Sequence, residues 1–239
     1  VDNPEEIDTI LSPEGEELIR LADGSYRARI ERSFTRYKRT YGYWTAELKN
    51  GGKLIYGRSK THRITDESGT KVYAWLPERL ETVDGNNIEY YYRSFPEAPN
   101  QKYLSEIRWA AGYSPWSAYY FVYFKYDRRS DWSFDCRPGF PLMNTRRLEV
   151  IDVGAHGLTS KSGMKQDLNR DGQTDNLIRR YALDLGGRDE PRSVLRRVTQ
   201  LGAGGKYSLP PISFAYSGNE PWKNFDVRYH IKRTNNPPR

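Results

Sequence analysis

An acidic stretch in the C-terminal half carries the clearest chemical signal in the sequence. Residues 167–175 read D-L-N-R-D-G-Q-T-D, which matches the spacing D-x-N-x-D-G-x-x-D of a calcium-binding loop. Calcium binds about six to eight oxygen atoms, and side chains at alternate positions converge when such a loop curls. The sequence therefore predicts a structural calcium site with these ligands: the side chains of Asp167, Asn169, Asp171 and Asp175 and the main-chain carbonyl of Gln173.

The residues around this loop indicate which kind of calcium site could form. An EF-hand has Glu at its twelfth position, whereas this chain has Ile178 there. That difference favours a loop that leads directly into a strand over a helix–loop–helix. Lys165 and Arg170 are expected to weaken cation binding because they bring positive charge to the loop. A polar turn closed by side-chain hydrogen bonds, without a metal, is the alternative.

The motifs that mark common hydrolases do not occur in the sequence. His62, His156 and His230 are far apart along the chain, and it contains neither H-E-x-x-H nor G-x-S-x-G. Zinc proteases and α/β-hydrolases build their active sites on those motifs. We therefore predict that the chain is not an enzyme.

Two weaker pairings of reactive side chains leave an enzyme as an alternative. Asp127 and Asp131 could act as general acid and base, although we interpret the stretch that contains them as a surface turn. Cys136 could pair with His156 as thiol and imidazole, although a buried, inert cysteine is favoured. A hydrolase or lyase would require a cleft that joins Asp127, Asp131 or Arg137 to a histidine.

Aromatic residues crowd one stretch of the chain. Its members are Tyr113, Trp116, Tyr119, Tyr120, Phe121, Tyr123, Phe124 and Tyr126. Packing between neighbouring strands is the favoured interpretation. An exposed row of rings around Trp109 to Trp116 would instead make the chain a carbohydrate- or cell-surface-binding β-module, because sugars stack on such platforms.

Composition excludes several classes of protein. The chain has 239 residues, and its 19 Tyr and six Trp are typical of a globular protein rather than a disordered one. No apolar run approaches the ~20 residues that a membrane-spanning helix needs. The 38 Lys and Arg give a net charge of +7, but they never run longer than two. This spread makes nucleic-acid binding an unfavoured interpretation, and the single cysteine excludes a disulfide framework.

Alternating apolar and polar residues predict an all-β chain. The pattern is found in 88–92, 121–126, 148–153 and 178–183, and it is typical of half-buried strands. Two hairpins are predicted, in which 88–92 pairs with 104–109 and 178–183 pairs with 195–201. We expect repeated antiparallel hairpins that form one extended, curved sheet over residues 1–239, with 1–11 and 218–239 as segments flanking it in a longer polypeptide.

Several short segments, taken in order, resemble a known family. They are 43–45, 50–52, 54–57, 72–79, 83–92, 137–140, 144–147 and 208–216. Their order is similar to that of the SpvB-like N-terminal region of bacterial toxin-complex B components and their Rhs/YD-repeat relatives. The resemblance covers roughly residues 12–217, which is nearly the whole chain.

The resemblance implies a structural role in a secreted bacterial toxin. In that family such segments are hairpins in the wall of a large hollow β-shell, which encloses a toxic C-terminal polypeptide before delivery. The implied partners are flanking parts of the same polypeptide and other toxin-complex subunits. The loop at 167–175 looks like the calcium loops of FG-GAP-type repeats. The resemblance assigns no catalytic residue to this chain.

Overall fold

The computed structural model describes residues 9–109, 119–156, 165–166, 175–186, 193–205 and 208–216. Within these residues the chain is built almost entirely from β-strands. The strands are β1 (Leu18–Arg20), β2 (Tyr26–Ala28), β3 (Arg36–Thr40), β4 (Tyr43–Glu47), β5 (Lys53–Tyr56), β6 (Arg63–Thr65), β7 (Val72–Trp75), β8 (Pro77–Glu81), β9 (Asn87–Phe95), β10 (Ala98–Trp109), β11 (Tyr119–Asp135), β12 (Leu142–His156), β13 (Lys165–Gln166), β14 (Asp175–Asp184), β15 (Arg197–Leu201) and β16 (Ile212–Ser213). Two 3-10 turns, η1 (Lys60–His62) and η2 (Ala203–Gly205), accompany them.

The strands form one antiparallel meander. Fourteen of them belong to a single sheet, in which nearly every strand pairs with the strand that follows it in the sequence. The β6–β7 hairpin is a separate two-stranded sheet, inserted between β5 and β8. β13 pairs with the beginning of β14, where Gln166 lies opposite Asp175. Among the described residues, no helix has the length and hydrophobicity needed to cross a membrane.

Glycine makes the tight turns between strands possible. Gly51, between β4 and β5, has a φ of 82°, and Gly85, between β8 and β9, has a φ of 78°. These values lie in the left-handed region, which glycine occupies without steric cost. Each glycine donates its N–H back across the turn, to Leu48 and Thr82 respectively. The pairs Asn50-Gly51 and Asp84-Gly85 therefore mark hairpin turns.

A first hydrophobic cluster stabilises the N-terminal strands. Its buried members are Leu18, Tyr37, Trp44, Ala46 and Tyr56. Trp44 makes edge-to-face contacts with Tyr26 and with Trp75 of β7. The indole N–H of Trp75 donates to the carbonyl of Gly42 over 2.7 Å. The β6–β7 hairpin thus packs on the meander and covers part of it.

A second cluster lies on β11 and β14. Phe121 is fully buried and packs with Tyr123 and Leu177. It lies directly over Gly154 of β12, where a Cβ atom would be only 2.4 Å from the Phe121 ring. The glycine is required here because any side chain would occupy the space of that ring.

The strands predicted from alternation are confirmed. The segments 88–92, 121–126, 148–153 and 178–183 all lie within strands, and both predicted hairpins form, as β9–β10 and β14–β15. An all-β fold dominated by one large antiparallel sheet is therefore correct. The surface turn expected at 127–131 is wrong, because this stretch continues β11.

Candidate functional site

A row of charged and aromatic residues crosses five neighbouring strands. The register places Tyr91, Glu106, Tyr123, Asp152 and Arg180 opposite one another in succession, from β9 to β14. Residues that face each other in this way share one face of a sheet. Three of the five, Glu106, Tyr123 and Asp152, are buried. The amino-acid sequence does not reveal this row, because its five residues form no local motif.

Asp152 is the centre of an ion cluster in this row. Its carboxylate is fully buried and accepts hydrogen bonds from Arg180 over 2.6 and 2.8 Å. The Lys125 ammonium lies 2.9 Å away. Burial alone would raise the pKa of Asp152, but the hydrogen bonds from the two cations outweigh burial and lower this pKa below its usual range. The carboxylate is therefore held ionised and fixes three strands to one another.

Glu106 forms a second ion pair in the same row. Arg108 donates two hydrogen bonds to its carboxylate, over 2.7 and 2.9 Å. The Arg108 guanidinium also lies over the rings of Tyr91 and Tyr119, at 4.7 and 4.8 Å from their centroids. Glu106 and Arg108 both belong to β10, and the two rings connect this ion pair to β9 and β11.

The carboxylates predicted as a possible acid–base pair are engaged in structural contacts. A register shift between Arg128 and Ser133 makes β11 bulge outward from β12. In this bulge, Asp131 accepts hydrogen bonds from the main-chain N–H and the hydroxyl of Ser193, each over 2.7 Å. Arg129 donates to it as well, and these contacts lower the pKa of Asp131. Asp127 lies 4.0 Å from the guanidinium of Arg147.

The histidines do not complete a catalytic site with these carboxylates. His156 pairs with Tyr119 at the first residue of β11, whereas Asp131 lies twelve residues further along that strand, roughly 40 Å at about 3.3 Å per residue. His62 donates from Nε2 to the carbonyl of Tyr90, and its Nδ1 is hydrogen-bonded to the Ser59 hydroxyl, each over 2.6 Å. His230 lies outside the described residues.

Cys136 is exposed, so the prediction of a buried cysteine is wrong. It begins the turn between β11 and β12, where its carbonyl accepts from the N–H of Gly139 over 3.0 Å. The short side chain of a turn residue has no sheet face to pack against. Because His156 lies at the opposite end of this hairpin, the thiol–imidazole pair does not form. Arg137, in the same turn, is likewise remote from His156.

The predicted calcium ligands lie mostly outside the described residues. Residues 167–174, which include Asp167, Asn169, Asp171 and Gln173, lie outside the described residues. Asp175 is the first residue of β14. The stretch joins β13 to β14, whose paired ends are Gln166 and Asp175. The calcium site remains a prediction.

Exposed aromatic residues also occur outside the stretch Trp109 to Trp116 that was considered for carbohydrate binding. Trp109, at the start of the predicted row, stacks on Tyr120 with 6.0 Å between ring centroids, and residues 110–118 lie outside the described part of the chain. Trp132 and Phe134, on one side of β11, are instead 54% and 64% exposed. Their ring centroids are 6.5 Å apart.

The last described strand of the meander, β16, and the residues that follow it are exposed. Within the described residues, β16 pairs only with β15. Ile212, Phe214 and Tyr216 are 63%, 42% and 55% exposed. An exposed edge with apolar side chains is a site where a further strand can be added. In the sequence, 208–216 is one of the segments that carry the family resemblance, but its pattern does not predict this edge.

The amino-acid sequence matches a known family over part of its length. Residues 20–110 match the family described as Salmonella virulence plasmid 65kDa B protein. No curated protein sequence matches the chain significantly. The matched region runs from the last residue of β1 to just beyond β10, and it includes every buried member of the first hydrophobic cluster except Leu18.

Solved structures of toxin proteins share the fold. The N-terminal domain of effector protein SpvB from Salmonella typhimurium strain LT2 aligns with a TM-score of 0.66 and 19% identity, over 83% of this chain and 82% of that chain. A TcdB2-TccC3-Cdc42 structure aligns with a TM-score of 0.71 and 22% identity, over 89% of this chain. The Tc holotoxin pore of Photorhabdus luminescens aligns with a TM-score of 0.70 and 22% identity, also over 89% of this chain.

The chain spans only 13% of each of these two toxin-complex chains. The resemblance to the SpvB-like region of toxin-complex proteins is nevertheless confirmed, by the family match over 20–110 and by the shared fold.

Proposed function

We propose that this chain is a non-enzymatic structural segment of a secreted bacterial toxin. In this role it forms part of a β-shell that encloses a toxic polypeptide and helps to deliver it. Its partners are flanking parts of the same polypeptide and other toxin-complex subunits. The observation that carries the proposal is the shared fold with a segment of much larger toxin-complex chains.

The contacts of the chain fit a wall better than an active site. The buried carboxylates of Asp152 and Glu106 are both paired with cations. The pairs of Asp152 with Arg180 and Lys125 join three neighbouring strands. Asp131 is likewise committed to Ser193 and Arg129. A continuous meander also supplies what a wall needs, since each strand is held by its neighbours along the sheet.

The test is a cryo-electron microscopy structure of the longest natural polypeptide that contains this chain. We expect the sheet from β1 to β16 to lie in the wall of a hollow shell, with one face toward an enclosed polypeptide. A sheet with solvent on both faces, or one arranged around a bound substrate, would contradict the proposal. Protease protection of the enclosed polypeptide gives a second measurement, and Phe121→Ala should weaken this protection whereas the exposed Tyr41→Ala should not.

A second candidate function is carbohydrate binding, favoured by the exposed rings of Trp132 and Phe134. Two neighbouring rings on one side of a strand can stack on the apolar face of a sugar. The discriminating measurement is glycan-array binding by the intact chain, with Trp132→Ala compared with Tyr41→Ala, a matched exposed aromatic. Binding that is lost only in Trp132→Ala would support this second function, and absence of binding would remove it.

A further inference from the structure

The sheet from β9 to β12 has two chemically different faces. The charged face carries the row that runs from Tyr91 to Asp152. The residues that alternate with this row point to the opposite side of the sheet, and they are aliphatic or aromatic. The register places them opposite one another across the four strands. We call this second surface the apolar face, and its members are Ile88, Tyr90, Ile107, Trp109, Tyr120, Val122, Phe124, Ile151 and Val153.

The charged face is covered by its own long side chains. The guanidinium of Arg93 lies 5.2 Å from the centre of the Tyr123 ring, and that of Arg108 lies 4.7 Å from the centre of the Tyr91 ring. Arginine side chains of this kind cover apolar surface with their stems while their charged ends can remain in water. The charged face can therefore meet water without a further layer of chain.

The apolar face is the less buried of the two. None of its nine side chains is buried, and Tyr120 is 37% exposed. On the charged face, by contrast, Glu106, Tyr123 and Asp152 are buried. Antiparallel sheets commonly turn their apolar face to the core and their polar face to solvent, so the order of burial is inverted here. A broad apolar surface that keeps this exposure is typical of a site that contacts another polypeptide.

The same side of the sheet is covered by chain at the N-terminal strands. Ile88 lies opposite Leu80, which in turn lies opposite Leu54. Leu54 lies opposite Ala46, a buried member of the first hydrophobic cluster. There the β6–β7 hairpin packs on the sheet through Trp75. The apolar face thus continues a surface that this fold covers with polypeptide elsewhere.

We propose that the apolar face is the inner face of the wall and that it binds the enclosed polypeptide. This inference rests on the toxin-wall role proposed above, and it assigns the face of the sheet that meets the occupant. The charged face is suited to water outside a shell. The apolar face is suited to a polypeptide segment that presents apolar side chains, because burying apolar surface on both partners is favourable.

A second copy of this chain is a poorer occupant of the apolar face. Two sheets that pack face to face lie about 10 Å apart. The β6–β7 hairpin already occupies this layer over the N-terminal strands, so the sheet of a second copy cannot lie along the whole surface. A single polypeptide segment can instead lie beside the hairpin.

Photo-cross-linking in the longest natural polypeptide that contains this chain tests the assignment. Tyr120→p-benzoylphenylalanine places a photoreactive ring on the apolar face. Tyr91→p-benzoylphenylalanine is the matched control, because it replaces a tyrosine on the charged face of a strand that also pairs with β10. We expect at least tenfold more cross-linking to the enclosed polypeptide in the first variant than in the control, measured by mass spectrometry. Tyr90→p-benzoylphenylalanine, on the apolar face of β9, repeats the test if the first variant does not fold.

Three outcomes would overturn the proposal. These are equal or stronger cross-linking in the control, no cross-link from either residue of the apolar face to a protease-protected polypeptide, and a cross-linked dimer. The dimer would identify a second copy as the occupant. If the polypeptide is protected from protease but cross-links only from the charged face, the toxin-wall role survives and the assignment of the inner face fails. If no polypeptide is protected, the toxin-wall role itself fails, and this assignment fails with it.

Discussion

At the scale of single residues, the buried carboxylate of Asp152 is the contact on which three strands depend. We expect Asp152→Asn to lower the free energy of unfolding by about 3 kcal/mol, because it leaves the cations of Arg180 and Lys125 without their buried counter-charge. Urea denaturation at neutral pH measures this change. Asp135→Asn is the control, because its pair with Arg137 is exposed and its loss should leave stability almost unchanged.

The same carboxylate gives the protein an acid-sensitive component of stability. The pKa of Asp152 is lower in the folded chain than in the unfolded chain, where it is about 3.9. Its contribution is therefore present above about pH 4 and is lost as the pH falls through the folded pKa. Asp152→Asn should lose less stability than the wild type between neutral pH and pH 3. Parallel losses in the two proteins would contradict this assignment.

Gly154 is a residue at which a single added carbon atom should lower stability. A Cβ atom there would lie 2.4 Å from the Phe121 ring, so we expect Gly154→Ala to cost about 2 kcal/mol through overpacking. Phe121→Leu removes the atoms with which the new methyl group would clash. The double variant should therefore lose less stability than the sum of the two single variants, and simple additivity in urea denaturation would disprove the direct contact.

At the scale of elements, the bulge in β11 is held by one carboxylate. Asp131 joins the bulge to Ser193, ahead of β15. We expect Asp131→Asn to increase amide hydrogen exchange at 129–132 and 193–196, because it weakens the contacts to both Ser193 and Arg129. Ser133→Ala, on the same strand, is the control and should leave exchange unchanged. If Asp131→Asn raised exchange across the whole sheet instead, the bulge would not be a local tether.

The loop between β13 and β14 carries the calcium prediction. A ligand that binds only the folded protein raises its thermal stability, so millimolar calcium should raise the midpoint of thermal unfolding by several degrees, and a chelator should reverse the shift. Asp171→Ala should abolish it by removing a predicted ligand, whereas Asp135→Ala, outside the loop, should retain it. If calcium does not shift the unfolding midpoint of the wild type, the loop is a polar turn and the calcium prediction is wrong.

Elements were more predictable from the sequence than contacts between them. The strands at 88–92 and 178–183 follow from alternation, and adjacent pairing follows from short turns. The ion cluster of Asp152 could not be predicted, because it requires the register of three strands, which is set by bulges that no local pattern reveals. The bulge itself caused the error at 127–131, where charged residues typical of a turn lie in a strand and bind Ser193 instead.

At the scale of the whole molecule, the meander separates the two hydrophobic clusters along one sheet. The first cluster lies around Trp44 on the N-terminal strands, and the second lies around Phe121 on β11 and β14. Most strands contact only their immediate neighbours. One contact departs from this pattern, because His62 of η1, directly before β6, binds the main chain of β9. Stability in such an array is approximately a sum of local and nearest-neighbour contributions.

This arrangement predicts that damage to one cluster stays local. Trp44→Ala removes a buried ring that contacts Tyr26 and Trp75, a change that costs about 3–5 kcal/mol in a packed core. Hydrogen exchange should then increase across β1 to β5 while β11 to β14 keep their protection, because opening can be confined to one cooperative unit. Phe121→Ala should give the reverse pattern. Equal loss of protection across all strands in both variants would show that the sheet unfolds as one unit, and that the His62 contact couples its two parts more strongly than the meander suggests.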